Sequence, residues 1–271
     1  MKNIYPTLIR VAQQLNITEE ELLQKLHFIF PSSRPEEQNF QLNTNEGLRE
    51  YKVACKGIGN IINPLGNFME YAFHVNDSWT EYSVLVKAET FNELRMPEFR
   101  MREYFLTRFD SHCETQMLFG DKTCDCMEQL NIAMKMIADH GEGAIIHIKN
   151  HEGRGKGIVS KLDQLSICEA LGINTVEASL LRAELIEGID TRKLTATEAI
   201  DTRDFFGCVA ILKYFQVPPN IKLILQTNNP FKKKALDDNG YLCEYLHIHT
   251  EPNEENRKHL EAKKTDLNHK L

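Results

Sequence analysis

From residue 127 onward the chain alternates between apolar segments of helical period and short apolar runs of strand length, and this alternation most restricts the folds open to it. MEQLNIAMKMIADHG is an amphipathic helix stopped by Gly141, AIIHIKN is a buried strand, and VSKLDQLSICEALG is a second helix stopped by Gly172. FFGCVAILKYF, the strand IKLILQT and the helix KKKALDDNG continue the series, and EENRKHLEAKKTDLNHKL reads as a charged terminal helix. Such alternation implies α/β packing with a partly parallel sheet. Upstream, NFMEYAFHV, EYSVLVKAE and EYFLTRF have the alternation and the β-branched or aromatic content of strands, with turn residues such as Asn76 and Asp77 between them. Residues 1 to about 30 predict two short helices, the second opened by a capping box of Thr18 and Glu21. The polar, Pro-containing stretch 31–48 reads as a linker or a surface loop. The expected class is therefore α/β (α+β): a mixed sheet core with flanking helices. Residues 1–60 form a short helical N-terminal extension and linker, and residues 61–271 the main domain.

Composition narrows the function. A chain of 271 residues with 42% hydrophobic content can bury a core. No apolar run approaches the roughly 18 residues of a membrane span, and the first residues lack the pattern of a secretory signal, so a soluble, cytoplasmic protein is expected. A net charge of −7 and a pI of 5.8 exclude a general nucleic-acid surface; any phosphate is bound locally. In a reducing compartment clustered thiols bind metal or do chemistry more often than they pair. Of seven cysteines, Cys55, Cys168, Cys208 and Cys243 are scattered in apolar contexts such as CVAIL and read as small core residues.

The other three, Cys113, Cys124 and Cys126, form a C-x10-C-x-C array. Three thiolates without a fourth protein ligand suggest a metal site open to water; His112 closing the shell, or three unliganded cysteines, are the competing readings. The segment H-E-G-R-G-K-G (151–157) sits between a strand and a helix, where backbone amides, Arg154 and Lys156 suit an anion, and an ordinary strand-helix turn is the alternative. His147 and His151, if both extended, lie about 13 Å apart and read as ordinary buried or loop histidines. T-N-N-P-F-K (227–232) follows an apolar strand, where open α/β sheets bind ligands, and offers Thr227 and Lys232. D-T-R-D-F (201–205) sets a carboxylate two positions from an arginine, a general base beside a phosphate contact or a surface ion pair.

Taken together and in this order, the segments resemble the GTP cyclohydrolase II family, zinc enzymes that open the imidazole ring of GTP at the start of riboflavin synthesis. The resemblance rests on Arg108 to Cys113, Cys124-Asp125-Cys126, Gln129-Leu130, Glu152-Gly153-Arg154, Thr175 to Ala178, Asp201 to Phe205 and Thr227 to Pro230. An earlier P-W-G-x-F stretch appears as Pro64 to Phe68. It runs from about residue 62 to the C-terminus. It implies Zn²⁺ on Cys113, Cys124 and Cys126, one per chain, with water in the fourth position and Mg²⁺ assisting at the triphosphate. It further implies Arg203 as nucleophile on the α-phosphate and Asp201 as proton acceptor, with Arg108, Gln129, Glu152, Gly153, Arg154, Thr175, Thr227 and Lys232 holding the nucleotide. The products would be formate, pyrophosphate and a diaminopyrimidinone ribosyl phosphate, made by a homodimer that binds neither nucleic acid nor membrane.

The sequence departs from the family pattern in places. R-x-H-S-E-C becomes R-F-D-S-H-C, placing Asp110 and His112 beside the cysteines, and Thr123 and Met127 flank the C-D-C pair. The helix after E-G-R normally carries a tyrosine implicated in ring opening; here Leu165 or Ser166 falls there. An insertion of roughly AELIEGIDTRKLTATEA contains a second Asp-Thr-Arg, 190–192, and 201–205 is preferred because the following Asp-Phe matches. These departures admit a homologue that hydrolyses a purine nucleotide without full ring opening or in another pathway, or an inactive nucleotide-binding paralogue.

Overall fold

The computed structural model describes residues 5–76 and 81–267. Asp77 and the last four residues of the tail, 268–271, lie outside the described residues. The chain runs α1 (Tyr5–Leu15), α2 (Glu19–Leu26), β1 (Gln38–Thr44), β2 (Gly47–Asn63), β3 (Gly66–Val75), β4 (Glu81–Lys87), a small ribbon of β5 (Thr90–Phe91) and β6 (Pro97–Glu98), and β7 (Tyr104–Ser111). Then follow α3 (Glu114–Phe119), α4 (Cys126–His140), β8 (Gly143–Ile148), α5 (Gly157–Leu171), α6 (Thr175–Glu187), α7 (Ala196–Ile200), α8 (Phe206–Tyr214), β9 (Lys222–Gln226), α9 (Pro230–Asp237), β10 (Cys243–Leu246) and α10 (Arg257–Asp266).

Among the described residues eight strands form one sheet in the order β1-β2-β3-β4-β8-β7-β9-β10. The first four are an antiparallel meander joined antiparallel to β8, whereas β8, β7, β9 and β10 are parallel. Burial follows the two pairing modes. In β4 the residues Tyr82, Val84 and Val86 are buried while their neighbours are not, and in β8 five of six residues are buried. That is the contrast between a strand with one dry face and a strand covered on both. The sheet is covered on one face by α8, whose Cys208 to Leu212 are wholly buried, and on the other by α4 through Ala133 and Ile137.

Local chemistry sets the helix ends. Thr18 and Glu21 form the expected capping box on α2, Asn174 and Glu177 form one on α6, and Gly141 and Gly172 end α4 and α5 in the left-handed conformation. The stretch 31–48 is not a linker: it holds β1 and the turn into β2, and the boundary expected at residue 60 falls inside β2. β1 has one buried residue, Leu42, so its edge position leaves almost no apolar signal in the sequence. Cys55, Cys208 and Cys243 are buried as expected, but Cys168 is half-exposed on α5.

Candidate active site

Three parallel strands deliver their carboxyl ends to one place, where sheets of this kind bind ligands. β7 leads into Cys113, β8 into the turn at 149–155, and β9 into Thr227–Lys232. Side chains from all three line a cavity of about 150 Å³.

Cys113, Cys124 and Cys126 form one wall, their sulfurs all within 4.8 Å of one another and Cys113 Sγ 3.4 Å from Cys124 Sγ. A tetrahedral ion about 2.3 Å from each sulfur would set them roughly 3.8 Å apart, so the cluster fits such an ion. No fourth histidine, cysteine or carboxylate joins the group among the described residues. His112 is turned away, its Nδ1 3.1 Å from His147 Nε2, while His147 Nδ1 meets Asp110 Oδ2 at 2.8 Å. Hydrogen bonds from Cys124 and Cys126, and then Lys161, hold the Cys113 thiol far below its ordinary range, while contact with Cys113 pushes Cys124 up.

Cations line the same cavity. Arg108, 4% exposed on β7, pairs with Asp110 at 2.9 Å and donates to Gln129 Oε1 and the Gln226 carbonyl, both at 3.3 Å. Arg154 donates to Ser179 Oγ at 2.6 Å and to Gln164 Oε1 at 3.3 Å. Burial, then Arg203, brings its pKa down to about 10, so it stays charged. Asp201 holds Arg203 by two bonds, Oδ1 to Nε at 2.8 Å and Oδ2 to Nη2 at 2.5 Å. Burial works against the Asp201 carboxylate, but Arg203 and then Arg154 hold it below the usual range; burial also opposes Arg203, which Asp201 raises. Arg203 lines the cavity, whereas the second Asp-Thr-Arg lies outside it with Arg192 86% exposed.

Lys232 is buried, donates to the Phe109 carbonyl at 2.6 Å and lies over the Phe205 ring. Burial, then Arg108 and Arg203, pull its pKa from 10.5 to about 7, with Asp110 opposing. In the free protein the burden of a buried ammonium is fully present below pH 7 and is relieved as pH rises from 7 toward 10.5. A triphosphate seated beside Lys232, as the family resemblance implies, would restore the charge. Above pH 7 binding is therefore expected to take up as much as about one proton and to weaken by up to about tenfold per pH unit. Calorimetry in buffers of different ionisation enthalpy reads the proton directly, and Lys232→Met should abolish the uptake.

The turn at 149–155 is built by close approach. Gly155, at φ +86°, faces the 201–203 segment so tightly that a Cβ would sit 2.7 Å from Thr202 Oγ1, and Thr202 donates its amide to the Arg154 carbonyl at 3.1 Å. Glu152 is buried, accepting the Glu114 amide at 2.5 Å and lying 3.3 Å from Lys161, and Gly153 has φ +57°. β8 ends at Ile148, so the extended spacing expected for His147 and His151 does not hold: His151 is on the turn and lines the cavity. Thr227 accepts the Asn229 amide at 3.0 Å and Asn229 caps α9. Thr175, at the start of α6, bonds His259 on α10.

The residues expected to bind metal or nucleotide line this cavity, as does Arg203, and Asp201 reaches it through Arg203; Lys156, expected beside Arg154 at an anion, instead pairs with Glu187 at 2.6 Å and does not line it. Leu165 lines it too and places no hydroxyl there. Sequence reasoning missed Lys161, His259 and Lys263. The last two come from the charged tail, where only the family motifs' silence could have been noticed; Lys263 Nζ lies 3.6 Å from Asp125, the residue between two of the cysteines.

The sequence matches the GTP cyclohydrolase II family over residues 59–242, more than half of the chain. The chain belongs to the GTP cyclohydrolase II family. It is 30% identical over 226 residues to a riboflavin biosynthesis protein RibBA of Phocaeicola vulgatus, covering 83% of this chain and 49% of that protein. It is 34% identical over 170 residues to a GTP cyclohydrolase-2 of Streptomyces coelicolor, covering 62% and 69% respectively. A RibBA of Aquifex aeolicus is 37% identical over 177 residues, 65% of this chain and 39% of its own. The chain thus spans half or less of the RibBA proteins it matches. Among solved structures, a two-domain 3,4-dihydroxy-2-butanone 4-phosphate synthase from A. baumannii overlaps 91% of this chain and 50% of its own at 12% identity, with a TM-score of 0.35, too low to bear on the argument. This GTP cyclohydrolase II family member brings three thiols and an Asp-x-Arg pair to one cleft, with Leu165 beside them.

Proposed function

We propose that the chain is a zinc-dependent cytoplasmic hydrolase that opens the imidazole ring of GTP at C8, releasing formate and pyrophosphate and leaving a diaminopyrimidinone ribosyl phosphate for riboflavin synthesis. The supporting observation is the meeting at one cavity of a three-thiol cluster, with no fourth protein ligand among the described residues, and Arg108, Arg154, Arg203 and Lys232. Zinc held by the three sulfurs supplies a Lewis acid and a water of near-neutral pKa, the chemistry that attack on C8 requires. Arg108, Arg154 and Lys232 neutralise the triphosphate, with Mg²⁺ accompanying it, and Gln129, Glu152, Gly153, Thr175 and Thr227 shape the nucleotide's seat. Arg203 engages the α-phosphate. In the free pair the proton rests on Arg203, so attack on phosphorus requires Asp201 to accept it; otherwise Arg203 stabilises charge on the departing pyrophosphate.

A homodimer fits the surface: α5 and α6 pack together and leave Val159, Leu162, Leu185 and Ile186 exposed, an apolar face that a second copy would cover. One observation favours a second reading. Leu165 cannot donate a proton or a hydrogen bond, so hydrolysis that stops short of full ring opening is the alternative. A nucleotide panel tests the proposal: with Zn²⁺ and Mg²⁺ present, GTP should be consumed with pyrophosphate release and ATP should not. Turnover of neither rejects the enzyme reading.

A further inference from the structure

His151 is a buried titratable group in the cleft that the proposed reaction leaves without a task. It is 6% exposed and lines the cavity together with Arg203 and Lys232. Its ring packs edge-on against Phe205, centroids 5.2 Å apart, and its Nδ1 lies 3.4 Å from Ser111 Oγ. Ser111 Oγ accepts from Arg203 Nη1 at 3.5 Å. A guanidinium only donates, so the Ser111 hydroxyl has its own proton free to offer Nδ1; with that bond made, the ring carries its proton on Nε2. Nε2 meets no other partner among the described residues and is the ring nitrogen left for the cavity. Burial, then Arg203 and Lys232, push the ring's pKa down to about 3, with Asp201 opposing, so the imidazole is neutral.

We propose that His151 is a neutral hydrogen-bond donor to the substrate, its Nε2–H meeting an anionic oxygen of the phosphoryl group that Arg203 engages. A further cation here would lie against Arg203 and Lys232; a neutral imidazole adds a donor without adding charge. The line Arg203, Ser111, His151 orients that donor before substrate arrives, which lowers the ordering cost of binding. The inference rests on the reading of this cleft as a GTP site.

The test uses the zinc-loaded full chain and GTP without Mg²⁺, titrated by calorimetry. His151→Phe keeps the ring against Phe205 and removes the donor, and should weaken GTP binding by about tenfold to a hundredfold. His151→Gln keeps a donor and should stay within about threefold of wild type. Nitrogen NMR of the wild-type ring should find Nδ1 bare and Nε2 protonated, with the Nε2 signal shifting on GTP addition. That readout decides the matter even if a variant fails to fold. GTP binding undiminished in His151→Phe, a doubly protonated ring, or an Nε2 signal indifferent to GTP overturns the proposal while the GTP site stands. Wild-type protein that binds no GTP overturns both.

Discussion

Replacing Arg203 with alanine is expected to lower GTP turnover by about a thousandfold or more, the scale seen when a preorganised charge donor is removed from a transition state. The change should fall on kcat more than on KM, because Arg108, Arg154 and Lys232 remain in the cleft for the triphosphate of the proposed reaction. Arg192→Ala provides the control: that arginine sits in the same tripeptide, pairs with its own aspartate and is exposed, so its loss should alter activity by less than about twofold. Arg203→Ala also strands Asp201. With its partner gone, burial raises the Asp201 pKa, and the native state takes up a proton that the unfolded chain lacks at the same pH. The variant's stability deficit is therefore greatest near neutrality and shrinks as pH falls toward the ordinary carboxylate range. Denaturant titrations at pH 7 and pH 5 read that shrinkage, and an equal deficit at both would show that Asp201 does not depend on Arg203.

Replacing Cys124 with serine is expected to take bound zinc from about one equivalent per chain to well under a fifth, and GTP turnover with it. A hydroxyl in place of one of three thiolates removes a soft ligand from a site with no fourth protein ligand in reserve among the described residues. Metal analysis of freshly purified protein measures the first effect and a steady-state assay the second. Zinc bound to the folded site, as proposed, would add to its stability, so chelation of the wild type should also lower its unfolding midpoint, and the same chelator should leave Cys124→Ser unmoved. His112→Ala separates this account from one in which the neighbouring histidine closes the shell. His112 bonds His147 instead of joining the sulfurs, so that variant should keep its zinc. Retention of a full equivalent in Cys124→Ser would overturn the ligand assignment.

What the sequence disclosed follows from where the energetics are local. The Thr18 and Glu21 box, the glycine stops at Gly141 and Gly172, and the alternation of Tyr82, Val84 and Val86 are interactions between near neighbours, so they are written in short windows. The choice of Asp201-Thr202-Arg203 over the earlier copy rested on the two residues that follow it, and the structure puts Arg203 alone of the two arginines in the cleft. β1 was hidden because an edge strand with one buried side chain needs no hydrophobic pattern. The roles of His259 and Lys263 were hidden for another reason. α10 reaches the site by folding back over Thr175 and Asp125, through contacts 84 residues and more apart in the chain, and its own composition says only that it is charged. The extended spacing expected of His147 and His151 fails because the strand ends between them at Ile148, while His151 is the buried loop histidine that the sequence implies.

The central claim is that this cleft carries GTP through hydrolysis at C8. Mass spectrometry of the products from zinc-loaded protein, GTP and Mg²⁺, with formate and pyrophosphate quantified separately, tests it most directly. The account predicts one formate and one pyrophosphate for each GTP consumed, together with a diaminopyrimidinone ribosyl phosphate. Pyrophosphate with GMP and no formate, or GTP recovered intact, would contradict it.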